Sequence, residues 1–318
     1  MGKDVMPIFN EHLRGLGDVD QLDVFLYTAG GDTLTGFGLA RLTREFAGHV
    51  GALVPARCHS AGTLFALGAN EIVMTRGATL SPIDPSVTGP LNPVIEIAAG
   101  QRQVVPLSVE SVAGFQGLAQ EEWGIRGEEA LTAAFRSLAE KVHPIALGDV
   151  FRARQQIELL ARKLLESHRP RDNESVFRII HTLTKGLGSH DYLISRTEAH
   201  EILGDQVVSA SSELETHLAR LLEGFSDAMK LREPFDAGSE IKQAAGSAPS
   251  SGGAPTATVV LRQAFIESAF GSHVFEREVT LKSVQVQVAM GPQGPQVIPA
   301  IQQEVVRAGW RFYPPVSP

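Results

Sequence analysis

Asp23-Val24-Phe25-Leu26-Tyr27-Thr28-Ala29-Gly30-Gly31-Asp32 and, a few turns of chain later, Cys58-His59-Ser60-Ala61-Gly62-Thr63-Leu64-Phe65-Ala66-Leu67-Gly68-Ala69 are the segments on which the fold turns. Residues 22–27 form a short apolar run that reads as a buried strand ending in a glycine pair. A helix follows, with Leu34, Phe37, Leu39, Leu42 and Phe46 on its inner side. Residues 51–55 read as the next strand, 60–69 as a small-residue helix and 71–75 as another strand. Strands alternating with helices imply parallel pairing and an α/β core.

Outward from this block, residues 4–16 place Val5, Ile8, Phe9, Leu13 and Leu16 at helical spacing. Residues 93–106 read as a hairpin around Ala99-Gly100-Gln101. From 109 to 168 the pattern is helical, broken at Trp123-Gly124 and His143-Pro144, with a long amphipathic run over 145–165. Further helices are expected over 175–183, 196–203 and 212–229. Residues 236–256, rich in Gly, Ala, Ser and Pro, have a linker composition. The expected division is therefore a core domain over 1–235, that linker, and a small β-rich module over 257–318 carrying a short amphipathic helix at 298–308.

Composition narrows the function classes. A hydrophobic fraction of 43% supports a large core and excludes a wholly disordered chain. A net charge of -8 excludes nucleic acid as the main partner, because phosphate binding needs a basic face. The single cysteine, Cys58, leaves no internal disulfide and no cysteine-rich metal site, although its place beside Ser60 makes a thiol nucleophile a rival. No apolar run reaches the roughly 20 residues of a membrane span, and the first residues do not read as a signal peptide, so a cytoplasmic protein is expected. The histidines show no His-x-x-x-His pair with a glutamate, and Gly36 and Gly38 do not make a dinucleotide fingerprint; neither metal nor cofactor is expected.

Three features carry chemistry. Glycines directly after a strand let the backbone approach another group closely and leave an amide pointing outward. A serine at a helix start, Ser60, can project its Oγ while the next amide faces the same space; two such amides make an oxyanion hole. The third is the punctuated loop Leu80-Ser81-Pro82-Ile83-Asp84-Pro85. Alone, the glycine pair is an ordinary turn and the serine an ordinary N-cap; the order and spacing of the three make them specific.

Together with Glu71-Ile72-Val73-Met74, these motifs resemble the serine dehydrogenase proteinase family, related to signal peptide peptidase A and to the proteolytic subunit of the Clp protease. The resemblance covers residues 4–210 and is close over 23–87. It implies a Clp/crotonase-like fold of stacked ββα units, Ser60 as nucleophile, and the amides of Gly31 and Ala61 as oxyanion hole. It also implies a homo-oligomer, trimeric or a multiple of three, acting on a peptide or protein substrate.

The sequence departs from its relatives in two places. Their fold opens with a strand before the first helix, whereas here the helix begins almost at Met1, so a shortened start or a sheet without that edge strand is expected. Clp subunits carry a histidine about 25 residues beyond the serine, where this chain has Ile83-Asp84-Pro85; Asp84 reads as a residue that orders the loop. Signal peptide peptidases use a lysine before the next long helix, and Lys141-Val142-His143-Pro144 occupies a comparable place, with His143 and His190 as the other candidate bases. A lysine base must be shielded from water to lose its proton. His59 reads as structural. The leading expectation is an ATP-independent serine peptidase working through an acyl-enzyme at Ser60, since no nucleotide-binding loop is present. A non-catalytic binding or assembly module of the same fold and a crotonase-type acyl-thioester enzyme are the alternatives.

Overall fold

The computed structural model describes residues 1–97, 102–247, 256–289 and 295–315. Its elements are α1 (Val5–Leu16), β1 (Val19–Phe25), α2 (Thr33–Phe46), β2 (Ala47–Val54), β3 (Arg57–Cys58), α3 (Ala61–Leu67), β4 (Glu71–Met74), β5 (Thr79–Leu80), β6 (Ser86–Val87), β7 (Val94–Glu96), β8 (Arg102–Val104), β9 (Leu107–Ser108) and α4 (Val109–Gly117). There follow α5 (Glu128–Lys141), α6 (Pro144–Leu165), α7 (Asn173–His181), β10 (Ile194–Ser195), α8 (Arg196–Leu203), β11 (Val207–Ser209), α9 (Ser212–Ala228), α10 (Ala237–Ser247), β12 (Thr256–Ser268), β13 (Gly271–Ala289) and β14 (Pro295–Tyr313). They divide into one unit of Met1–Pro7 with Asp18–Leu218 and another of Ile8–Gly17 with Ala219–Pro318.

The first unit is built on a parallel sheet of order β1-β2-β4-β11. Val24 pairs with Ala52, Ala52 with Ile72 and Ile72 with Val207, so one row of apolar residues runs across all four strands. Val50, Ala52, Val54, Ile72 and Met74 are buried, as expected for a parallel sheet covered by helices. Among the described residues β1 lies at the sheet edge, and its Asp20, Gln21 and Asp23 are exposed. Charge on an edge strand discourages pairing with other chains. A second sheet, β10-β5-β3, sits beside the ends of these strands: Cys58 pairs in parallel with Leu80, which pairs antiparallel with Ile194. Strands β2 and β3 with α3 make one ββα unit. Helices α2, α3 and α6 pack on one another. Leu39, Leu64, Phe65, Leu67, Ile157, Leu160 and Leu164 fill the core.

The second unit contains an antiparallel meander of order β12-β13-β14, with β12 and β13 meeting in a tight hairpin at Ser268↔Gly271. Residues 298–308, expected as a helix, belong instead to β14, which pairs with β13 from Ser272↔Tyr313 to Ala289↔Pro295. Ile298, Ile301, Val305 and Val306 do recur at helical spacing. β-branched side chains suit a strand as well, however, and Pro299, which lacks an N–H, is tolerated on an edge strand such as β14. Residues 237–247, read as linker, form α10. Asp236 starts that helix by accepting from the Gly238 amide (2.9 Å) and the Ser239 hydroxyl (2.6 Å). Alanine is the best helix former, and Ile241 anchors the helix in a cluster with Ala257, Val279 and Leu281. The rest of the expected linker, 248–255, and the turn at Ala99-Gly100-Gln101 lie outside the described residues; the arms of that hairpin, β7 and β8, pair antiparallel.

Candidate active site

Beyond β1 the chain keeps pairing for one more step, and this step builds the site. Thr28 bridges Cys58 in parallel, donating its amide to the Arg57 carbonyl (3.0 Å) and accepting the His59 amide (3.1 Å). Ala29-Gly30-Gly31 is thereby held against His59-Ser60. Gly30 stands at φ +104, and a Cβ there would lie 2.7 Å from Ser60 Cβ and 3.3 Å from Ser60 Oγ. No side chain other than hydrogen fits that approach. Gly31 follows at φ +142, and Asp32 caps α2 by accepting the Thr35 amide at 2.7 Å.

Ser60 itself stands at φ 52, ψ -112. Apart from glycines, Lys230 is the only other described residue with a positive φ. An L-residue so placed costs of order 1–3 kcal/mol and persists only where the surroundings over-determine it. Here a buried network does so. The Ser60 amide donates to Ser81 Oγ (2.8 Å), the Ser81 amide to Thr63 Oγ1 (3.1 Å), and the Thr63 hydroxyl to the Cys58 carbonyl (2.9 Å). All seven residues of α3 are buried, which anchors the far side of the turn. Gly36 lets α2 approach the helix start: a Cβ there would lie 2.6 Å from the Ala61 carbonyl oxygen.

The amides of Gly31 and Ala61 donate to no described residue, whereas those of Gly30 and Gly62 are taken, by Thr28 Oγ1 (3.0 Å) and the His59 carbonyl (2.8 Å). Along the edge of this segment, the Met1 amino group donates to the Gly30 carbonyl and the Met1 carbonyl accepts the Asp32 amide (2.8 Å). An extended backbone pairing with that edge would displace Met1.

Cys58 is fully buried, and burial pushes its thiol up to about 12, so it holds no thiolate and the rival nucleophile is removed. His59 Nε2 is engaged with Thr79 Oγ1 at 2.9 Å. Burial, then Arg57 and His190, keep its pKa below the usual histidine value, which suits a neutral structural side chain.

Asp84 is 2% exposed. Its Oδ2 accepts from the Ser108 hydroxyl at 3.2 Å, while its Oδ1 is buried with no hydrogen-bond partner. Burial first, then Glu110, raise its pKa to about 6, against the lowering effect of Ser108 and His190. Glu110 Oε1 is likewise buried and unpartnered, and burial raises that carboxyl too, with Arg154, Lys185 and His181 pulling the other way.

Of the other candidate bases, Lys141 is the exposed last residue of α5, a helix with no buried residue. His143 is exposed and caps α6, its Nδ1 accepting the Ile145 amide at 3.2 Å. Among the described residues no hydrogen bond or ion pair joins either to Ser60. His190 lies in the exposed turn at 188–191. The structure therefore gathers Ser60, Gly30, Gly31 and Ala61, and ties the Asp84 loop to them through Ser81. The supporting roles of Ser81 and Thr63, and the Ser108 and Glu110 partners of Asp84, escape a reading of the sequence. Ser81 stands inside the punctuated loop, but nothing there signals a contact with Ser60.

Residues 11–104 match the model of the ClpP-like SDH-type serine proteinase family, the family these motifs resemble. The match supports a serine peptidase in general, and with the parallel sheet and its helices the fold is Clp-like, with an added antiparallel β module. It includes Gly31, Ser60 and Asp84 and ends before Lys141 and His190. Two uncharacterized proteins of Methanocaldococcus jannaschii are similar to this chain. One is 26% identical over 195 residues, which is 61% of this chain and 56% of the relative. The other is 32% identical over 66 residues, 21% of this chain and 23% of the relative. The chain thus spans about half the length of the first and a quarter of the second. Among the described residues no helix is long and apolar enough to cross a membrane.

Proposed function

We propose that this chain is a serine peptidase that cleaves peptide bonds through an acyl-enzyme on Ser60. The observation that carries the reading is the positive φ of Ser60 beside two amides, Gly31 and Ala61, that donate to no described residue. In the first step the Ser60 hydroxyl loses its proton to a base as Oγ bonds to the substrate carbonyl carbon. The carbonyl oxygen takes the displaced electron pair and the two amides stabilise it, each donor being worth about 3 kcal/mol when removed. The C–N bond then breaks, the leaving amine takes the proton, and water releases the acyl group by the reverse sequence.

The signal-peptide-peptidase resemblance offers Lys141 as that base. Lys141 is exposed, and a lysine base must be shielded from water, so it can act only where a second copy of the chain covers it. Association is part of the proposal, as a trimer or a multiple of one. Exposed Trp123, Phe135, Ile145 and Phe151, on and around α5 and the start of α6, support it, because they leave large apolar side chains open to a partner. Sedimentation at micromolar concentration should show no monomer.

A second reading, a binding or assembly module without catalysis, is favoured by one observation: Ser60 Oγ has no hydrogen-bonded base among the described residues. Covalent labelling by a fluorophosphonate separates the two. The hydrolase should label at Ser60 and lose the label in Ser60→Ala; a folded protein that labels no more than Ser60→Ala is the binding module.

A further inference from the structure

An orphaned acceptor beside the site asks for a donor. Asp84 Oδ1 is buried without a hydrogen-bond partner, and native proteins rarely leave such an atom unmatched without a functional reason. The cavity it borders, also lined by Pro82, Glu110, Gly188 and Ser189, measures about 10 Å³, which is too small for any ligand larger than a water. A single water or a side chain of this chain can therefore supply the donor.

The fold holds one segment against this loop from both ends. The Ile83 amide donates to the Leu183 carbonyl at 3.0 Å, and Ile194 pairs with Leu80. The chain between, 184–193, is consequently fastened to the Leu80–Asp84 loop, and its turn supplies Gly188 and Ser189 to the same cavity wall. His190 is the next residue. It is exposed, makes no hydrogen bond with described residues, and follows Gly188, whose φ of +68 turns the chain at that point. At its other end the loop accepts the Ser60 amide through Ser81 Oγ.

Resting on the serine-peptidase reading, we infer that His190 is the general base for Ser60 and that Asp84 is its positioning residue, donor and acceptor meeting as His190 Nδ1–H and Asp84 Oδ1. His190 Nε2 takes the Ser60 hydroxyl proton as the Oγ–C bond forms. It returns that proton to the departing amine nitrogen as the C–N bond breaks. In deacylation it takes a proton from water and gives it back to Ser60 Oγ. Asp84 takes no proton in the cycle and, ionised above its pKa of about 6, stabilises the imidazolium. The electrostatic influence of His190 on both Asp84 and His59, the neighbour of Ser60, agrees with this placement. His59 cannot substitute, since its Nε2 is held by Thr79. The charged or titratable groups facing the pair are Glu110 and Lys185 across the cavity and His59 with Arg57 on the strand side.

The test is the rate of fluorophosphonate labelling of the full chain from pH 5 to 9. His190→Ala should label about 100-fold more slowly and regain part of the rate with added imidazole, a rescue that a merely structural histidine would not show. Asp84→Asn should label more slowly and move the midpoint of the pH profile downward, because loss of the carboxylate lowers the histidine's proton affinity. Labelling of His190→Ala at the wild-type rate overturns the inference while leaving the serine reading intact, and so does a loss that follows Lys141→Ala but not His190→Ala. A wild-type protein that labels no faster than Ser60→Ala overturns both.

Discussion

A methyl group at residue 30 would strike the site at its closest approach. In Gly30→Ala the Cβ would lie 2.7 Å from Ser60 Cβ, 2.9 Å from the His59 carbonyl oxygen and 3.3 Å from Ser60 Oγ. Neither neighbour is the free end of a flexible chain: one is backbone and the other the first carbon of a side chain whose amide is pinned by Ser81. The backbone at φ +104 adds a cost that an L-residue bears and glycine does not. Taking about 1–2 kcal/mol for the conformation and about 1–3 kcal/mol for the overpacking gives roughly 2–5 kcal/mol of lost stability. For a unit of this size each kcal/mol lowers the melting temperature by about 2–4 °C, so a drop of roughly 4–20 °C is expected in a thermal melt. To reach ordinary contact Ser60 must retreat by several tenths of an ångström, and a displacement approaching 1 Å can cost about 100-fold in rate. Fluorophosphonate labelling should fall on that scale. Gly77→Ala is the matched control: its Cβ would meet nothing within 4 Å, so melting should stay within about 0.5 kcal/mol of wild type. Gly30→Ala melting and labelling like wild type would refute the close packing of Gly30 on Ser60, and with it the geometry of the site.

Ser81→Ala should lower stability by about 1–3 kcal/mol in denaturant titration and slow labelling, because the Ser60 amide loses its acceptor in a half-buried position. Cys58 should resist thiol reagents in the native protein and react only on unfolding, read by mass spectrometry, since it is fully buried. Asp84→Asn should stabilise the protein at pH 7. The folded carboxyl ionises near 6 against an ordinary 3.8, so the native state holds the extra proton and stability falls as pH rises through that window. Allowing for solvent screening, the gain is about 1–3 kcal/mol above pH 6 and vanishes below about pH 4, measured by melting across that range.

The alternation of strands and helices from Leu22 to Met74 was legible because it is a local pattern, and the inner strands β2 and β4 are buried along most of their length and therefore mostly apolar. Ser60 was legible for a similar reason: Cys58-His59-Ser60-Ala61-Gly62 packs a strand end, a turn and a small-residue helix start into five residues. The failures lie where distant contacts decide. Ile298, Ile301, Val305 and Val306 fit a helix by spacing, but pairing with β13 makes them strand. Residues 237–247 look like linker by composition, but Ile241 finds a core on the β12–β13 sheet and the alanines then favour helix. Asp84 reads as a loop residue, because its burial and its surroundings depend on Ser108, Glu110 and the turn at 188–191, up to about a hundred residues away.

The places where this chain departs from local preference gather around Ser60. The serine holds a backbone conformation that costs energy, the two glycines before it stand at positive φ, and a buried carboxylate oxygen beside the site is left without a donor. Each departure is held in place by ordinary packing elsewhere: α3 buried along its whole length, Thr63 and Ser81 fully satisfied, Gly36 admitting α2 to close contact. A surface that only binds a partner gains nothing from a serine turned outward at that cost, nor from two amides kept free beside it. An acyl-transfer site needs both, because the hydroxyl must project and the amides must meet an oxygen that becomes charged only in the transition state. Asp84→Asn separates the two explanations, since its two effects should run in opposite directions. Relieving a buried carboxylate raises stability, whereas removing the partner of a histidine base lowers reactivity, and this opposition is expected where a residue is retained for function against the interest of the fold.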